Sequence, residues 1–276
     1  MFENIFFDLD GTIIDSREGI VNSVIYSLKN FNIEVKNREE LEKFIGPPLN
    51  ESFKEFYNFN EKQTELAIKL FRERYETTGL WEAKLYPGIK ELISDLKKSG
   101  KRVILATSKP EKFAKKILEG FKMDKDFFLI IGATLDGSRS AKKDVIKFAL
   151  DKIKDINLEE CIMIGDRNYD ILGAKENNMK SIGVTYGFGT KPELETAEAD
   201  YIAEDVEELR KNFIVRDNDV KLDLHKVWAS KVLQEYDMET INRMNSLLNE
   251  CFGIIQTKQP QEKGFQRKKL YKIKKK

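Results

Sequence analysis

The sequence predicts an α/β protein whose core is a doubly wound parallel sheet, interrupted by a helical cap and followed by a helical extension. Short apolar runs recur along the chain as strand candidates, and segments with helical spacing separate them. Strands that alternate with helices pair in parallel through right-handed crossovers. Hydrophobic residues make up 41% of the 276 residues, so the chain can bury a core.

The strand candidates define a core made of residues 1–15 and 86–213. Apolar residues at helical spacing, such as those at 89–96 and 145–150, fill the intervals between the strands. The five candidates are residues 5–7, 102–106, 127–131, 161–164 and 181–184.

A cap is predicted over residues 16–85, where we find no strand pattern. Val21, Val24 and Leu28 follow helical spacing there. The stretch is too long for a single crossover connection, so it is better explained as a helical insert. Tyr86-Pro87-Gly88 marks its end.

The C-terminal part has a different character from the core. Residues 214–256 show helical spacing and predict one or two helices, whereas residues 257–276 are polar and basic and are expected to be disordered. Eight Lys or Arg and no acidic residue fall in the last 14 positions, against a net charge of +1 for the whole chain. Nucleic-acid binding through this tail is disfavoured but is not excluded. The sequence leaves the oligomeric state open.

Composition excludes several function classes. The single histidine, His225, leaves no serine-histidine triad and no multi-histidine zinc site within the first 220 residues. Cys161 and Cys251 do not suggest a disulfide framework. We find no signal-peptide pattern and no apolar run of the roughly 20 residues that span a bilayer, so we expect a cytoplasmic protein without a membrane partner.

Two carboxylates follow the first strand candidate. Asp8 and Asp10 are two residues apart and can face one site, and Gly11 permits a tight turn after them. In a parallel sheet, ligands bind beyond the carboxyl ends of the strands. Close carboxylates repel each other, and Mg²⁺ relieves that repulsion. Alternatively, one carboxylate is a covalent nucleophile and the other carries protons.

Further candidates stand at later strand ends. Thr107 and Ser108 offer hydroxyl and amide groups that could hold phosphate oxygens. Asp166 and Asp170 add two carboxylates after the run at 161–164. Of the adjacent lysines that precede a helix, the spacing favours Lys142 over Lys143 without deciding between them.

These motifs resemble the haloacid dehalogenase superfamily of aspartate-nucleophile phosphatases. The resemblance covers roughly residues 1–213 and is most specific in DLDGT at 8–12 and GDRNYDILGA at 165–174. It implies that Asp8 attacks phosphorus and that Asp10 protonates the leaving group and then deprotonates water. It also implies that Thr107 binds the phosphoryl group and that Lys142 offsets negative charge.

The resemblance implies a magnesium site and a phosphate site as well. Mg²⁺ would be held by Asp8, the backbone carbonyl of Asp10 and Asp166, with support from Asp170. The residues expected to contact phosphate or substrate are Gly11, Ser108, Arg17, Arg139 and Arg167.

The helical cap favours a small phosphorylated metabolite as the substrate. Residues 45–49 resemble phosphoglycolate phosphatases, whereas 135–139 and 183–189 resemble a branch labelled 5′-nucleotidase. We therefore expect a magnesium-dependent phosphomonoesterase that acts on a nucleoside 5′-monophosphate or phosphoglycolate. The alternatives are a phosphomutase of the same fold, and a binding or scaffold protein that uses its C-terminal helices and basic tail.

Overall fold

The computed structural model describes residues 2–213 of the chain. The helical extension predicted for residues 214–256 and the basic tail at 257–276 lie outside the described residues. Within the described part, no helix combines the length and the apolar character needed to cross a membrane.

A six-stranded parallel sheet forms the centre of the fold and confirms the predicted fold class. A separate two-stranded ribbon pairs β2 with β3 in antiparallel fashion. The strands are β1 (Asn4–Phe7), β2 (Ile14–Asp15), β3 (Lys84–Leu85), β4 (Arg102–Pro110), β5 (Leu129–Ala133), β6 (Cys161–Gly165), β7 (Lys180–Val184) and β8 (Tyr201–Ala203).

The order of strands in the sheet is β5-β4-β1-β6-β7-β8. The chain leaves β1 towards β4 and β5 and then returns to the other side of β1 with β6. This reversal makes the carboxyl end of β1 the topological switch point, where open α/β sheets bind their ligands.

Nine α-helices accompany the strands within residues 2–213. They are α1 (Arg17–Lys29), α2 (Leu49–Tyr57), α3 (Glu61–Thr77), α4 (Ile89–Lys98), α5 (Glu111–Gly120), α6 (Lys142–Lys152), α7 (Asn168–Glu176), α8 (Lys191–Thr196) and α9 (Val206–Lys211).

Both faces of the sheet are buried because successive side chains of a strand point in opposite directions. Ile5 and Phe7 pack into a core that includes α4 and α5, whereas Phe6 packs into a second core that includes α6. A strand buried on both faces needs a continuous apolar run, which explains why β1 reads Ile-Phe-Phe without a polar residue between them.

Helices α1, α2 and α3 belong to the insert between β2 and β3. The hydroxyl of Ser27 on α1 donates to the carbonyl of Ala67 on α3 at 2.9 Å. Arg74 on α3 donates to both carboxylate oxygens of Glu82, at 2.8 and 2.9 Å. These contacts fix α3 against α1 and against the segment that leads back to the sheet.

The structure contains three strands that the sequence did not predict. The stretch at 16–85, predicted to hold no strand, ends with β3, which pairs with β2 in a two-stranded ribbon. Strands β2 and β8 were not predicted either. All three were missed because strands of two or three residues are too short to show a period in the sequence.

Gly19 on α1 is required by a close backbone contact. A β-carbon there would lie 2.1 Å from the carbonyl oxygen of Gly79. We expect Gly19→Ala to lower the free energy of unfolding by about 2 kcal/mol, because the clash outweighs the better helix propensity of Ala. Urea denaturation measures this change. Glu18→Ala, at the exposed neighbouring position, should change it by less than about 0.5 kcal/mol. Equal midpoints for Gly19→Ala and wild type would contradict the packing argument.

Candidate active site

The carboxyl end of β1 places Asp8 at the centre of the sheet. The amide of Asp8 donates to the carbonyl of Ile164 on β6 at 2.9 Å, which continues the register of the strand pair. Gly11 then adopts φ +81°, a conformation that favours glycine. The carbonyl of Leu9 accepts from the amides that follow this turn, so the chain reverses directly after Asp10.

Lys142 is the lysine that enters the site. Its side chain is buried, and its Nζ lies 2.7 Å from Asp8 Oδ1 and 2.9 Å from Asp170 Oδ1. The same ammonium donates to the carbonyl of Ala106 on β4. Lys143 is exposed and pairs with Glu176 instead. Lys142 thus links the end of β1 to β4 and to the first turn of α7.

Three buried carboxylates could hold a metal ion. Asp8, Asp166 and Asp170 each offer one oxygen, and these oxygens lie within 4.8 Å of one another. Asp166 Oδ2 accepts from the amide of Phe188 at 2.7 Å, and Asp170 Oδ2 accepts from the amide of Arg167 at 3.1 Å. Two of the three carboxylates are therefore oriented by backbone amides.

Burial and mutual repulsion make this cluster costly without a cation. Burial raises the pKa of Asp166 well above its ordinary value, and the charges of Asp170 and Asp8 add to that shift. Burial also raises the pKa of Asp170, although Lys142 opposes the shift. A divalent cation would stabilise the ionised form of all three groups, so the donor set fits a hard metal ion such as Mg²⁺.

Glycines surround the cluster where any side chain would collide with it. A β-carbon on Gly11 would lie 2.1 Å from Asp166 Oδ2, and one on Gly165 would lie 2.1 Å from Asp170 Cγ. Gly187 and Gly189 approach Asp166 as closely from the loop after β7. The sequence 183–189 therefore contributes packing around Asp166, which its residue types alone did not reveal.

Asp10 stands apart from the cluster and pairs with Lys109, a residue that the sequence did not predict as part of the site. Lys109 Nζ donates to both carboxylate oxygens of Asp10, at 2.9 and 3.0 Å. Burial, the largest single influence, would lower the pKa of Lys109, but the charge of Asp10 together with the interaction with Tyr75 outweighs burial and raises the pKa above its ordinary value. The only available signal was its place in the 107–110 segment beside the hydroxyls of Thr107 and Ser108.

A cavity of about 620 Å³ opens above these groups. Its floor includes Asp8, Asp10, Thr107, Ser108 and Lys142. Its upper wall comes from the insert and from loops of the sheet. The wall combines apolar and aromatic side chains with charged ones; the former include Phe44, Pro47, Ile68, Phe71, Leu135 and Tyr169, and the latter Glu51, Glu65, Arg72, Asp136 and Arg167.

Some predicted substrate contacts are not brought into this cavity. Arg17 pairs with Glu42 at 3.2 Å, and Arg139 donates to the carbonyl of Gly132 and to Glu111; neither side chain lines the cavity. The amide of Gly11 is already used by the carbonyl of Ile14. Arg167 does line the cavity, but its guanidinium donates to the carbonyl of Ile45 and to Glu193.

The arrangement suits phosphoryl transfer. The candidate nucleophile Asp8 lies next to the ammonium of Lys142, and Asp10 supplies a second carboxylate two residues away. Asp8 also belongs to the cluster of three carboxylates that can hold a cation. Phosphoryl transfer needs positioning and charge compensation more than a strong base. The site supplies both without histidine.

Comparisons with known proteins agree with this chemistry. A 5′-nucleotidase from Pseudomonas aeruginosa is 42% identical over 209 residues, which are 76% of this chain and 94% of that protein. A tyrosine-protein kinase PtkA from Mycobacterium tuberculosis is 36% identical over 67% of this chain and 62% of its own length. A phosphoglycolate phosphatase from Colwellia psychrerythraea is 30% identical over 67% of this chain and 85% of its own length.

A solved structure and a family model agree with the similarity to these phosphatases. The structure, described as a predicted phosphatase from Clostridium acetobutylicum, is 48% identical, has a TM-score of 0.74, and covers 77% of this chain and 98% of its own. The model for haloacid dehalogenase-like hydrolases matches residues 5–184. The chain therefore belongs to the haloacid dehalogenase-like hydrolase family, as its motifs predicted.

Proposed function

We propose that the chain is a magnesium-dependent phosphomonoesterase that hydrolyses a small phosphorylated metabolite through an aspartyl-phosphate. The observation that carries this proposal is the pairing of Asp8 with Lys142 at 2.7 Å on the floor of a cavity that Asp10 and Thr107 also line. A nucleophile, its compensating charge, a proton carrier and a phosphate-binding hydroxyl thus share one pocket.

In the first step, a carboxylate oxygen of Asp8 attacks phosphorus, and the bond from phosphorus to the leaving oxygen breaks. The leaving oxygen takes the electron pair and a proton from Asp10. In the second step, water attacks the phosphoryl group while Asp10 accepts its proton, and the bond to Asp8 breaks. Thr107 is placed to bind the phosphoryl oxygens, and Lys142 offsets their charge.

The metal in this proposal is Mg²⁺. Asp8 and Asp166 would hold it together with the backbone carbonyl of Asp10, and Asp170 would support the site through Lys142 and the 166–170 loop. When bound, the ion supplies positive charge against the developing charge of the phosphoryl group. The remaining catalytic roles belong to the side chains of the chain itself.

The size and lining of the cavity bear on the substrate. A volume of about 620 Å³ lies in the range of pockets that enclose drug-sized ligands, and a phosphoglycolate molecule would fill only a small part of it. The aromatic and aliphatic side chains of the upper wall offer surfaces on which a nucleobase can pack. We therefore favour a nucleoside 5′-monophosphate. Arg72 also lines the cavity and donates one hydrogen bond to the carbonyl of Leu135 at 3.4 Å. Its remaining donors could bind the carboxylate of phosphoglycolate, which keeps that ester as the second candidate.

Phosphate release from a panel of esters tests the proposal. The panel contains nucleoside 5′-monophosphates, phosphoglycolate and p-nitrophenyl phosphate, each assayed after metal removal and again with Mg²⁺. We expect Mg²⁺-dependent release, fastest with a nucleotide. Phosphate migration within a sugar phosphate that needs a bisphosphate activator would support a phosphomutase. A folded protein that releases no phosphate from any ester would contradict the proposal and favour the scaffold alternative.

A further inference from the structure

Lys109 is a buried cation that the proposed reaction does not use. Its side chain is 5% exposed, and its Nζ reaches both oxygens of Asp10 at 2.9 and 3.0 Å. An ammonium within hydrogen-bond distance of both oxygens attracts them equally and so favours one orientation of the carboxylate. Burying an ammonium is costly unless it is paired, so the pair with Asp10 accounts for the presence of a lysine here.

The two buried lysines of the site serve different carboxylates. Lys142 pairs with Asp8 and Asp170, whereas Lys109 pairs with Asp10. The proposed nucleophile and the proposed proton carrier are only two residues apart in the sequence, yet each has its own ammonium. This division keeps Asp10 out of the acidic cluster formed by Asp8, Asp166 and Asp170.

The surroundings of Lys109 leave its ammonium little freedom. The ring centroid of Tyr75, on α3 of the helical insert, lies 4.8 Å from Nζ. Tyr75 is itself buried and packs against Phe71 and Phe113. A cation on an aromatic face is attracted to it, and more strongly when both are shielded from water. The ammonium is thus held between Asp10 and the ring.

The backbone around Lys109 is fixed as well. Its amide donates to Thr107 Oγ1 at 3.2 Å, and the pairing of β4 with β5 shifts register between Thr107 and Pro110. The shifted segment packs closely on Gly132, where a β-carbon would lie 2.6 Å from the carbonyl oxygen of Lys109. The irregularity of β4 thereby brings Lys109 to the cavity floor beside Thr107.

We propose that Lys109 is a positioning residue for the reaction, which holds the carboxylate of Asp10 in the orientation that serves the leaving group and the attacking water. This inference rests on the proposed phosphatase function. The competing role for Lys109 is direct binding of the substrate phosphate. The two roles differ in a measurable way, because only positioning of Asp10 depends on whether the leaving group needs a proton.

The test compares Lys109→Met with wild type on two esters. One is the best alkyl ester of the panel, whose leaving oxygen must be protonated, and the other is p-nitrophenyl phosphate, whose leaving group needs no proton. Stopped-flow release of p-nitrophenolate in the first turnover isolates formation of the phosphoenzyme. In Lys109→Met, we expect kcat for the alkyl ester to fall about 100-fold while KM changes less than about threefold. The rate of p-nitrophenolate release in the first turnover should fall far less.

Further variants tie the effect to Asp10. Asp10→Asn should show the same dependence on the leaving group, and the double variant should be no slower than Asp10→Asn, because Lys109 acts through Asp10. Lys109→Arg retains the charge and should restore part of the rate. Lys112→Met, which removes an exposed lysine from nearby α5, should leave both rates unchanged.

Other outcomes would overturn the inference. Equal losses of rate on both esters with a large rise in KM would assign Lys109 to phosphate binding. If the loss of rate in the double variant were the product of the two single losses, Lys109 and Asp10 would act independently. Urea midpoints of the single and double variants provide a readout without turnover, and additive midpoints would show that the pair does not interact. Inactivity of the wild type on every ester is a separate result, since it removes the proposed function itself.

Discussion

Replacement of Asp8 with Asn is expected to abolish phosphate release. An amide does not form an acyl phosphate, and substitutions of catalytic nucleophiles reduce kcat by about four to six orders of magnitude. The two side chains have nearly the same shape, and Lys142 keeps Asp170 as a partner at 2.9 Å. We therefore expect the variant to fold normally, so that the loss reports on chemistry rather than on stability.

The measurement is phosphate release from the best ester of the panel, with mass spectrometry of the protein during turnover. Wild type should carry a phosphoryl group on Asp8, and the variant should carry none. Asp144→Asn is the matched control, because Asp144 is an exposed aspartate on α6. A variant at position 8 that keeps a tenth or more of the wild-type rate would show that Asp8 is not the nucleophile.

Replacement of Asp166 with Asn is expected to remove the stabilisation that Mg²⁺ gives to the wild type. A ligand present at 100 times its dissociation constant stabilises a protein by about 2.7 kcal/mol. For a domain of this size, that corresponds to a rise in Tm of roughly 5–10 °C. Asn keeps an oxygen that can accept from the amide of Phe188, but it removes one of the three charges that the cation would balance.

The metal-free proteins should show the opposite order of stability. The ordinary pKa of Asp166 is 3.8, and burial raises it in the folded state. At pH values between 3.8 and the raised pKa, the folded protein therefore binds more protons than the unfolded chain. Stability therefore falls as the pH rises from 3.8 towards the raised pKa of the folded state, so the buried carboxyl of Asp166 lowers the stability of the metal-free wild type at neutral pH. Asp166→Asn lacks this titrating group and should melt at the same temperature as metal-free wild type or higher.

The same linkage predicts how the stabilisation by Mg²⁺ depends on pH. The cation competes with the proton on Asp166, so the rise in Tm that it causes should be larger at pH 8 than at pH 5.5. Thermal melts with and without Mg²⁺ at both pH values measure this, with Asp144→Asn as the control. A full Mg²⁺ response in the Asp166 variant would place the metal elsewhere.

The sequence predicted the parts of the site that follow from local rules. The apolar run of β1, the turn at Gly11 and the carboxylates on either side of Leu9 all lie within eight residues. Parallel pairing then places Thr107 and Asp166 at the same edge of the sheet, because the carboxyl ends of parallel strands meet there. The spacing before α6 favoured Lys142, and this is the lysine that the fold buries.

Side-chain pairing across the fold lay beyond such rules. Lys109 and Asp10 are 99 positions apart, and nothing in the spacing relates them. Arg17 and Arg139 were predicted to contact the substrate, but Glu42 pairs with the guanidinium of Arg17, and Glu111 and the carbonyl of Gly132 accept from that of Arg139. A cation in a sequence can thus be assigned to a substrate only after its competitors within the chain are known.

The contrast between the floor and the upper wall of the cavity has a consequence for engineering a new specificity. Glycines pack so closely around the acidic cluster next to the floor that substitutions at these glycines would mostly yield inactive or unfolded clones. Leu135 and Tyr169 in the upper wall are each 46% exposed, so larger and smaller residues can replace them at little cost. Directed evolution towards another leaving group should therefore randomise the upper wall and leave the floor untouched.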